Sequence, residues 1–193
     1  MNYYPLFELA DVQTGITLRG ANASRHQLDG THHLIRIGEV SDDGILQIGE
    51  PNLVKFDATL AARYTLRSGD VLLAARGTRM TATVFDGVVT AVAGGQFCVI
   101  RPKRDCLLPD YLRWFLNLST TQEVLNALAR GTYVRSLPAK SLATLSLPVP
   151  PIPQQRAIAD LHNLRLHEKG LMVRLANLRA TLVDGSLVRS LQS

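Results

Sequence analysis

The sequence is poor in cysteine, in lysine and in long apolar runs. Its 193 residues include two cysteines, Cys98 and Cys106, and only four lysines among 21 basic side chains. Two cysteines are too few for a disulfide framework, so we interpret both as reduced structural thiols. No apolar stretch approaches the ~18 residues that a membrane helix needs, and the chain does not open on a basic segment followed by an apolar run. These absences predict a cytoplasmic protein.

Catalytic motifs are also missing. The sequence has no Gly-x-Ser-x-Gly, Walker or Gly-x-Gly-x-x-Gly pattern, and no carboxylate pair with an adjacent lysine is evident outside the C-terminal helix. His26, His32 and His33 lie near Asp29, but their spacing matches no established metal site, so surface loop histidines are the expected explanation. We therefore predict no catalytic residue and no metal site in this chain.

Charge is distributed unevenly along the sequence. The net charge is +5, and residues 61–150 carry eleven basic and five acidic side chains, whereas residues 1–60 carry four and eight. Most of the cations are arginine, whose planar fork of donors suits phosphates and guanine edges. A basic, arginine-rich middle segment favours a polyanionic partner such as nucleic acid.

The apolar pattern predicts an α+β domain over residues 1–150, with a mixed or antiparallel sheet and flanking helices. Alternating and short apolar runs predict strands at residues 34–40, 45–48 (the hairpin partner of the first), 71–75, 83–85, 88–92 and 97–100. Helical spacing and start signals predict helices at residues 57–66, 109–116, 120–129 and 139–142. Residues 1–20 are expected to form an opening turn, and residues 21–33 a loop.

Residues 151–193 are predicted to form a second region, a long coiled-coil helix. The proline-rich run at 147–153 is expected to be extended and stiff, because each proline restricts both itself and the residue before it. Beyond it, apolar residues recur with an average spacing of ~3.5, the coiled-coil period. The proposed contact residues are Leu161, Leu164, Leu171, Leu175, Leu178 and Leu182. This stripe needs a partner, either the chain's own domain or a second chain, and we expect a second chain.

Three loops of the basic segment are candidate DNA contacts: residues 76–79, 94–96 and 130–135, called the first, second and third loop. Glycine beside hydrogen-bond donors permits close backbone approach to phosphate, and glutamine can pair with adenine through two bonds. Each loop alone is equally well explained as a turn with solvated arginines, but three in one basic segment favour DNA. The candidate residues are Arg76, Thr78, Arg79, Gln96, Arg130, Thr132, Tyr133 and Arg135.

Four segments of the chain match the pattern of a known family. They are residues 9–17, residues 66–74 with Gly69-Asp70 before an apolar strand, residues 108–112, and residues 147–158, where the proline-rich run leads through two glutamines into the helix. With these segments the chain resembles the specificity (S) subunit of type I restriction–modification systems. Gln154 departs from the pattern, because the family usually has Glu at this position.

The resemblance implies a target-recognition domain over residues 1–150 that binds one half of a split double-stranded DNA sequence. Residues 151–193 would be a spacer that docks methyltransferase (M) subunits. It implies no catalytic residue and no cofactor in this chain, since S-adenosylmethionine belongs to the M subunit and any cleavage belongs to other subunits, with the restriction (R) subunit as a further partner.

Family members normally hold two such units, whereas this chain holds one. It is therefore either a natural half-subunit that pairs with itself or a fragment. Antiparallel pairing of two helices would hold two recognition domains ~45 Å apart, within reach of two half-sites on one face of DNA. The alternative function is a coiled-coil assembly scaffold whose domain binds protein rather than DNA. An autonomous nuclease or methyltransferase has no motif in support.

Overall fold

The computed structural model describes residues 2–18, 29–50, 52–77, 80–103, 105–131 and 135–190. It divides into two units, Met1–Arg156 and Ala157–Ser193. The strands, in chain order, are β1 (Tyr3–Pro5), β2 (Ala10–Thr14), β3 (His32–Ile35), β4 (Leu53–Val54), β5 (Val71–Ala74), β6 (Ala82–Val84), β7 (Ala91–Ala93), β8 (Phe97–Pro102) and β9 (Ser146–Pro148). The helices are α1 (Leu6–Leu9), α2 (Ala58–Tyr64), α3 (Pro109–Leu116), α4 (Ser119–Leu128), α5 (Ala139–Ala143) and α6 (Ile152–Ser190).

The strands of the first unit form three sheets within the part of the chain described. The largest has the order β2-β8-β5-β6 and is antiparallel throughout. In a second, of order β4-β3-β7, β3 pairs antiparallel with β4 and parallel with β7. Mixed and antiparallel sheets with flanking helices, followed by a long C-terminal helix, confirm the predicted α+β class.

The main hydrophobic core packs the second sheet against the first. Alternate residues of β5 and β8, such as Leu72 and Phe97, join Ile35 of β3 and Ala93 of β7 in one buried cluster. All four residues of β5 are buried. This explains why the predicted strand at 71–75 is a continuous apolar run without alternation, since both of its faces are covered.

An ion pair between a buried carboxylate and a partly exposed arginine holds the start of β5 to β8. The Asp70 carboxylate, 1% exposed, accepts hydrogen bonds from Nε and Nη2 of Arg101 at 2.8 and 2.6 Å and from the backbone N–H of Arg67 at 2.8 Å. The hydrogen bond to Asp70 is also the main reason that the pKa of Arg101 is raised. Gly69, directly before Asp70, has φ +92°, a left-handed conformation that favours glycine. Before β5, Gly69 therefore allows the turn, and Asp70 binds the start of the strand to Arg101 of β8.

The two ends of the first unit meet. β1 pairs antiparallel with β9, with Tyr4 opposite Leu147, and the Leu6 N–H donates to the Leu145 carbonyl at 2.9 Å. The sequence predicted only an opening turn for residues 1–20, so this interpretation was wrong. Strands as short as β1 are visible only through the partner that hydrogen-bonds to them.

The predicted hairpin at residues 34–48 is also wrong. β3 ends at Ile35, and a 3-10 helix follows over Ile37–Glu39, where the Glu39 carboxylate accepts a bond from the Arg36 N–H at 2.8 Å. Only an isolated bridge joins Val40 to Leu46 in this described stretch. Both edges of β3 are already paired, with β4 and β7, so no edge is left for residues 45–48.

All four helices predicted within residues 1–150 are confirmed: α3 has the predicted ends, and the ends of α2, α4 and α5 are shifted by one or two residues. α4 begins one residue earlier than predicted, and its N-cap is Leu118, without a side-chain cap. α6 is 39 residues long and carries Pro153 in its first turn, where proline is tolerated. Among the described helices, none combines the length and the apolar character needed to cross a membrane.

Candidate nucleic-acid interface

The three loops singled out in the sequence are joined by backbone hydrogen bonds. The Ala75 N–H donates to the Gln96 carbonyl at 2.8 Å, and the Leu137 N–H donates to the Ala75 carbonyl at 2.8 Å. The Gly77 N–H donates to the Arg135 carbonyl at 3.1 Å. Loops that are far apart in sequence thus lie side by side, next to the end of β5 and the start of β8. We call their exposed residues the three-loop surface: Arg76, Gln96, Arg130 and Arg135.

The third loop is closed at its base. Arg130 and Ser136 exchange two backbone hydrogen bonds, of 2.9 and 2.8 Å, as a pair of antiparallel strand residues would. Gly131 directly after Arg130 has φ +103°, and Gly77 has φ +108°. Both glycines therefore serve a backbone conformation that other residues rarely adopt.

Two polar side chains of α4 support these loops. Asn126 Nδ2 donates to the Gln122 carbonyl at 2.8 Å, and its Oδ1 lies 3.5 Å from Arg135 Nη1, a weak bond. Gln122 Nε2 donates to the carbonyls of Met80 at 2.9 Å and Leu116 at 2.6 Å. Neither residue was identified from the sequence, because no local pattern marks a glutamine whose acceptor lies forty-two positions earlier.

The outer edge of the four-stranded sheet is also occupied. The Asn117 side chain accepts a bond from the Ala82 N–H at 2.9 Å and donates to the Ala82 carbonyl at 2.9 Å. It thereby replaces a neighbouring strand at the start of β6. Asn117 is a third residue that sequence reasoning missed. It fixes the chain that leaves the loop after β5.

Half of the predicted DNA-binding residues are in the described part of the chain. Arg76, Gln96, Arg130 and Arg135 are exposed and share the three-loop surface. Thr78, Arg79, Thr132 and Tyr133 lie outside the described residues. The surface presents three guanidinium groups and one amide on loops whose backbones are hydrogen-bonded to each other. Proteins use these groups as donors to phosphates and to the edges of nucleic-acid bases.

The histidines are placed differently from the prediction. His32 and His33 are not in a surface loop: both are buried in β3. His33 Nε2 lies 2.7 Å from Glu39 Oε1, and its Nδ1 accepts the Asn52 N–H at 3.1 Å. The strands β4 and β7 pair with β3 on its two sides, so these histidines are buried. Their polar side chains alone favoured a surface loop. Within the described ranges, no three His, Cys, Asp or Glu side chains cluster, and His26 lies outside them.

Both cysteines are free thiols, as the sequence predicted, and Cys98 lies under the third loop. Its Sγ is 3.7 Å from the Leu137 carbonyl, and burial raises the pKa of the Cys98 thiol to about 11. This cysteine therefore remains a neutral thiol at physiological pH.

The second unit presents the predicted leucine stripe to solvent. Its six leucines are 49% to 70% exposed, far above the value for a core residue. Met172, Val183 and Leu187 are exposed beside them. A helix with this much exposed apolar surface is typical of an element that is covered by a partner.

The fold and the three-loop surface define a candidate DNA-recognition domain, and the sequence places it in a family. The sequence model of the type I restriction modification DNA specificity domain matches residues 1–164. The chain therefore belongs to this family, whose task is DNA recognition rather than catalysis. A search of curated proteins finds no match.

Solved structures with the same fold come from such systems. The HsdS subunit from Thermoanaerobacter tengcongensis is 18% identical, with a TM-score of 0.67, over 90% of this chain and 39% of that one. The S subunit from M. genitalium is 17% identical, with a TM-score of 0.56, over 83% and 37%. A chain from a study of type I R-M complex assembly and conformational transition is 18% identical, with a TM-score of 0.68, over 90% and 40%. The match thus spans about two fifths of each relative.

Proposed function

We propose that this chain is a DNA-specificity subunit that binds one half-site of a double-stranded target through the three-loop surface. The family match supports DNA recognition, and the surface lies inside the matched residues. In this proposal the arginines contact phosphates and guanine edges, while Gln96 contacts a base. Thr78, Arg79, Thr132 and Tyr133 belong to the same loops by sequence and are proposed as further contacts.

The observation that carries this proposal is the set of backbone hydrogen bonds among the loops. Because Ala75 is bonded to both Gln96 and Leu137, and Gly77 to Arg135, the backbones that carry the donors of the three loops have fixed relative positions. A surface fixed before binding loses less conformational entropy when it binds. Sequence reading requires such fixed spacing, since each donor must meet one base edge.

Fluorescence anisotropy with labelled duplexes tests the proposal. A target is first selected from random-sequence duplexes with the wild-type chain. We expect Arg76→Ala with Arg130→Ala to weaken binding to this target at least tenfold, about 1.4 kcal/mol, and to lower its preference over random DNA. The matched control is Arg67→Ala with Arg156→Ala, two exposed arginines outside the loops. Equal affinities of the two double variants would contradict the proposal.

Pairing of two copies through α6 is the second part of the proposal. The exposed leucines support it, as does the length of the solved relatives, each more than twice the stretch shared with this chain. Antiparallel pairing places Leu161 opposite Leu178 of the second copy and Leu164 opposite Leu175. In-register parallel pairing would instead bring two Glu168 carboxylates together in the seam, which is unfavourable.

Cysteine cross-linking distinguishes these arrangements. In a Cys106→Ser background, Leu161→Cys combined with Leu178→Cys is expected to form covalent dimers on oxidation, while Leu161→Cys alone is not. Cross-linking of the single variant would indicate parallel pairing. Sedimentation that shows a stable monomer at micromolar concentration, without an M subunit, would contradict pairing altogether.

Catalysis belongs to other chains in this proposal. Methyl transfer from S-adenosylmethionine is assigned to an M subunit and cleavage to an R subunit, both positioned on the DNA by this chain. Membership of the type I specificity family supports these partners. Co-purification of this chain with an M subunit, and target-directed methylation by the mixture alone, would test the assignment. The competing function, a protein-binding scaffold, predicts no salt-dependent affinity for duplex DNA.

A further inference from the structure

A broad groove of about 970 Å³ opens in the first unit beside the three-loop surface. None of the residues of the three-loop surface lines it. Its walls come from residues 12–18, 54–56 and 138–140 and from Leu60, Arg63 and Tyr64. The groove therefore combines the end of β2, the region around α2, and the chain that leaves the third loop.

Backbone hydrogen bonds place this groove next to the three-loop surface. The Gly15 N–H donates to the Phe97 carbonyl at 2.9 Å, and the Ile16 N–H donates to the Ala93 carbonyl at 2.8 Å. One wall is thus bonded to both ends of the loop that carries Gln96. Another wall begins at Pro138, directly after Leu137, which is bonded to Ala75. The groove and the three-loop surface are neighbouring parts of one surface.

The charged residues that line the groove are basic. Lys55, Arg63 and Lys140 are exposed cations, and among the residues that the structure describes the lining includes no Asp or Glu. The Arg63 guanidinium carbon lies 5.3 Å from the centroid of the Tyr64 ring, a cation–π contact that restricts its direction. Lys55 Nζ lies 2.6 Å from Asp29 Oδ2 in an exposed ion pair. Exposed pairs of this kind are weak, so a phosphate can displace Asp29.

The floor of the groove is apolar and packed against buried residues. Leu18, Phe56 and Tyr64 pack against a buried cluster that includes Ile16 and Val54. The cations come from three separate segments around this floor. Separated charges on a fixed surface fit an extended polyanion, which presents a phosphate every few ångströms, better than a single small anion.

We infer that this groove binds the sugar–phosphate backbone of the duplex whose bases the three-loop surface contacts. Arg63 and Lys140 are the main phosphate contacts, and Lys55 is a third. The inference rests on the proposed function and extends the DNA contact beyond the three loops. Phosphate contacts fix the position of a protein on DNA without selecting its sequence.

Salt-dependent anisotropy with the full chain tests the inference. The probes are a selected target duplex and a random-sequence duplex of equal length. For Arg63→Gln with Lys140→Gln, we expect weaker binding to both probes and an unchanged preference for the target. The slope of log affinity against log salt should become less steep by about 1.8, since each lost phosphate contact accounts for about 0.9.

The matched control is Lys103→Gln with Arg156→Gln, which removes the same two residue types at exposed positions outside the groove. Circular dichroism verifies that both double variants are folded. If the groove variant has the same salt slope as the control while Arg76→Ala with Arg130→Ala still impairs binding, the inference about the groove is overturned and the proposed function stands. Loss of target preference in the groove variant overturns the backbone assignment. A wild-type chain that does not bind duplex DNA overturns both.

Discussion

The side-chain oxygen of Gln155 accepts a hydrogen bond from the backbone N–H of Leu108 at 2.9 Å, across 47 positions of sequence. Gln155 Nε2 donates to the carbonyls of Cys106 at 2.9 Å and Pro150 at 2.8 Å, and the side chain is fully buried. One residue therefore joins the segment before α3 to the proline-rich run before α6. This bond network explains why a polar residue follows the prolines so closely.

Replacement of Gln155 by Ala should lower the free energy of unfolding by about 2–3 kcal/mol, because one buried N–H and two carbonyls lose their partner. Urea denaturation followed by circular dichroism measures the change. Gln154, its exposed neighbour, is the matched control, and Gln154→Ala should stay within about 0.5 kcal/mol of the wild type. Equal losses for the two variants would show that the bonds of Gln155 are not needed.

Replacement of Asp70 by Asn should destabilise the first unit by about 2 kcal/mol. The variant keeps the shape of the side chain but removes its negative charge. It also replaces one of the two carboxylate oxygens that accept bonds from Arg101. Thermal unfolding measures the change. Glu123→Gln, an exposed carboxylate on α4, serves as the control and should be close to neutral. A Tm of the Asp70 variant equal to that of the control would refute the anchoring role.

The burial of Cys98 predicts a loss of stability in alkaline solution. Burial raises the pKa of the folded-state thiol from 9.0 to about 11. The thiol is neutral in both states well below pH 9, whereas between pH 9 and 11 only the unfolded chain ionises, so the free energy of unfolding falls as pH rises. Two pKa units correspond to about 2–3 kcal/mol. The difference in stability between the wild type and Cys98→Ala should therefore shrink from pH 8 to pH 11, and a constant difference would contradict this.

The conformation of Gly77 can be separated from its lack of a side chain. A Cβ at Gly77 or at Gly38 would meet no atom within 4 Å, but only Gly77 has a positive φ, +108°. Gly77→Ala should therefore cost about 1–2 kcal/mol and weaken binding to the selected duplex, because the strain acts on the bond between Gly77 and Arg135. Gly38→Ala should change neither quantity. Unimpaired DNA binding by Gly77→Ala would show that this bond does not shape the surface.

Elements with a strong local signal were predictable from the sequence. β5 is a short apolar run bounded by Ser68-Gly69-Asp70 and Arg76-Gly77, and α3 begins at Pro109 with Asp110 in its first turn. α6 has its leucine spacing and no proline after Pro153. In each case the signal lies within about ten residues of the element, so no knowledge of the tertiary fold was required.

Elements defined by distant partners could not be predicted. β1 exists because β9 pairs with it after more than 140 residues, and β3 is buried because β4 and β7 cover its edges. His32 and His33 are polar by type, which favoured a loop, but the paired strands bury them. Residues 45–48 have a strand-like pattern but find no free edge of β3. Tertiary context overrides local propensity at these positions.

The candidate site was predictable in part. Arginine-rich loops with glycine identified Arg76, Arg130 and Arg135, and the structure brings them onto one surface. The polar residues that hold this surface, Gln122 and Asn117, were not predictable, because their acceptors lie 35 to 42 positions away in sequence. The basic groove was equally hidden, since its cations come from three separate segments.

The salt dependence of duplex binding by the wild-type chain, compared with Arg76→Ala combined with Arg130→Ala, tests the central claim most directly. We predict that log affinity of the wild type falls linearly and steeply with log salt, and that the double variant binds the selected target at least tenfold more weakly at each salt concentration. Salt-independent affinity of the wild type, or equal target affinities of the two proteins, would contradict DNA recognition by the three-loop surface.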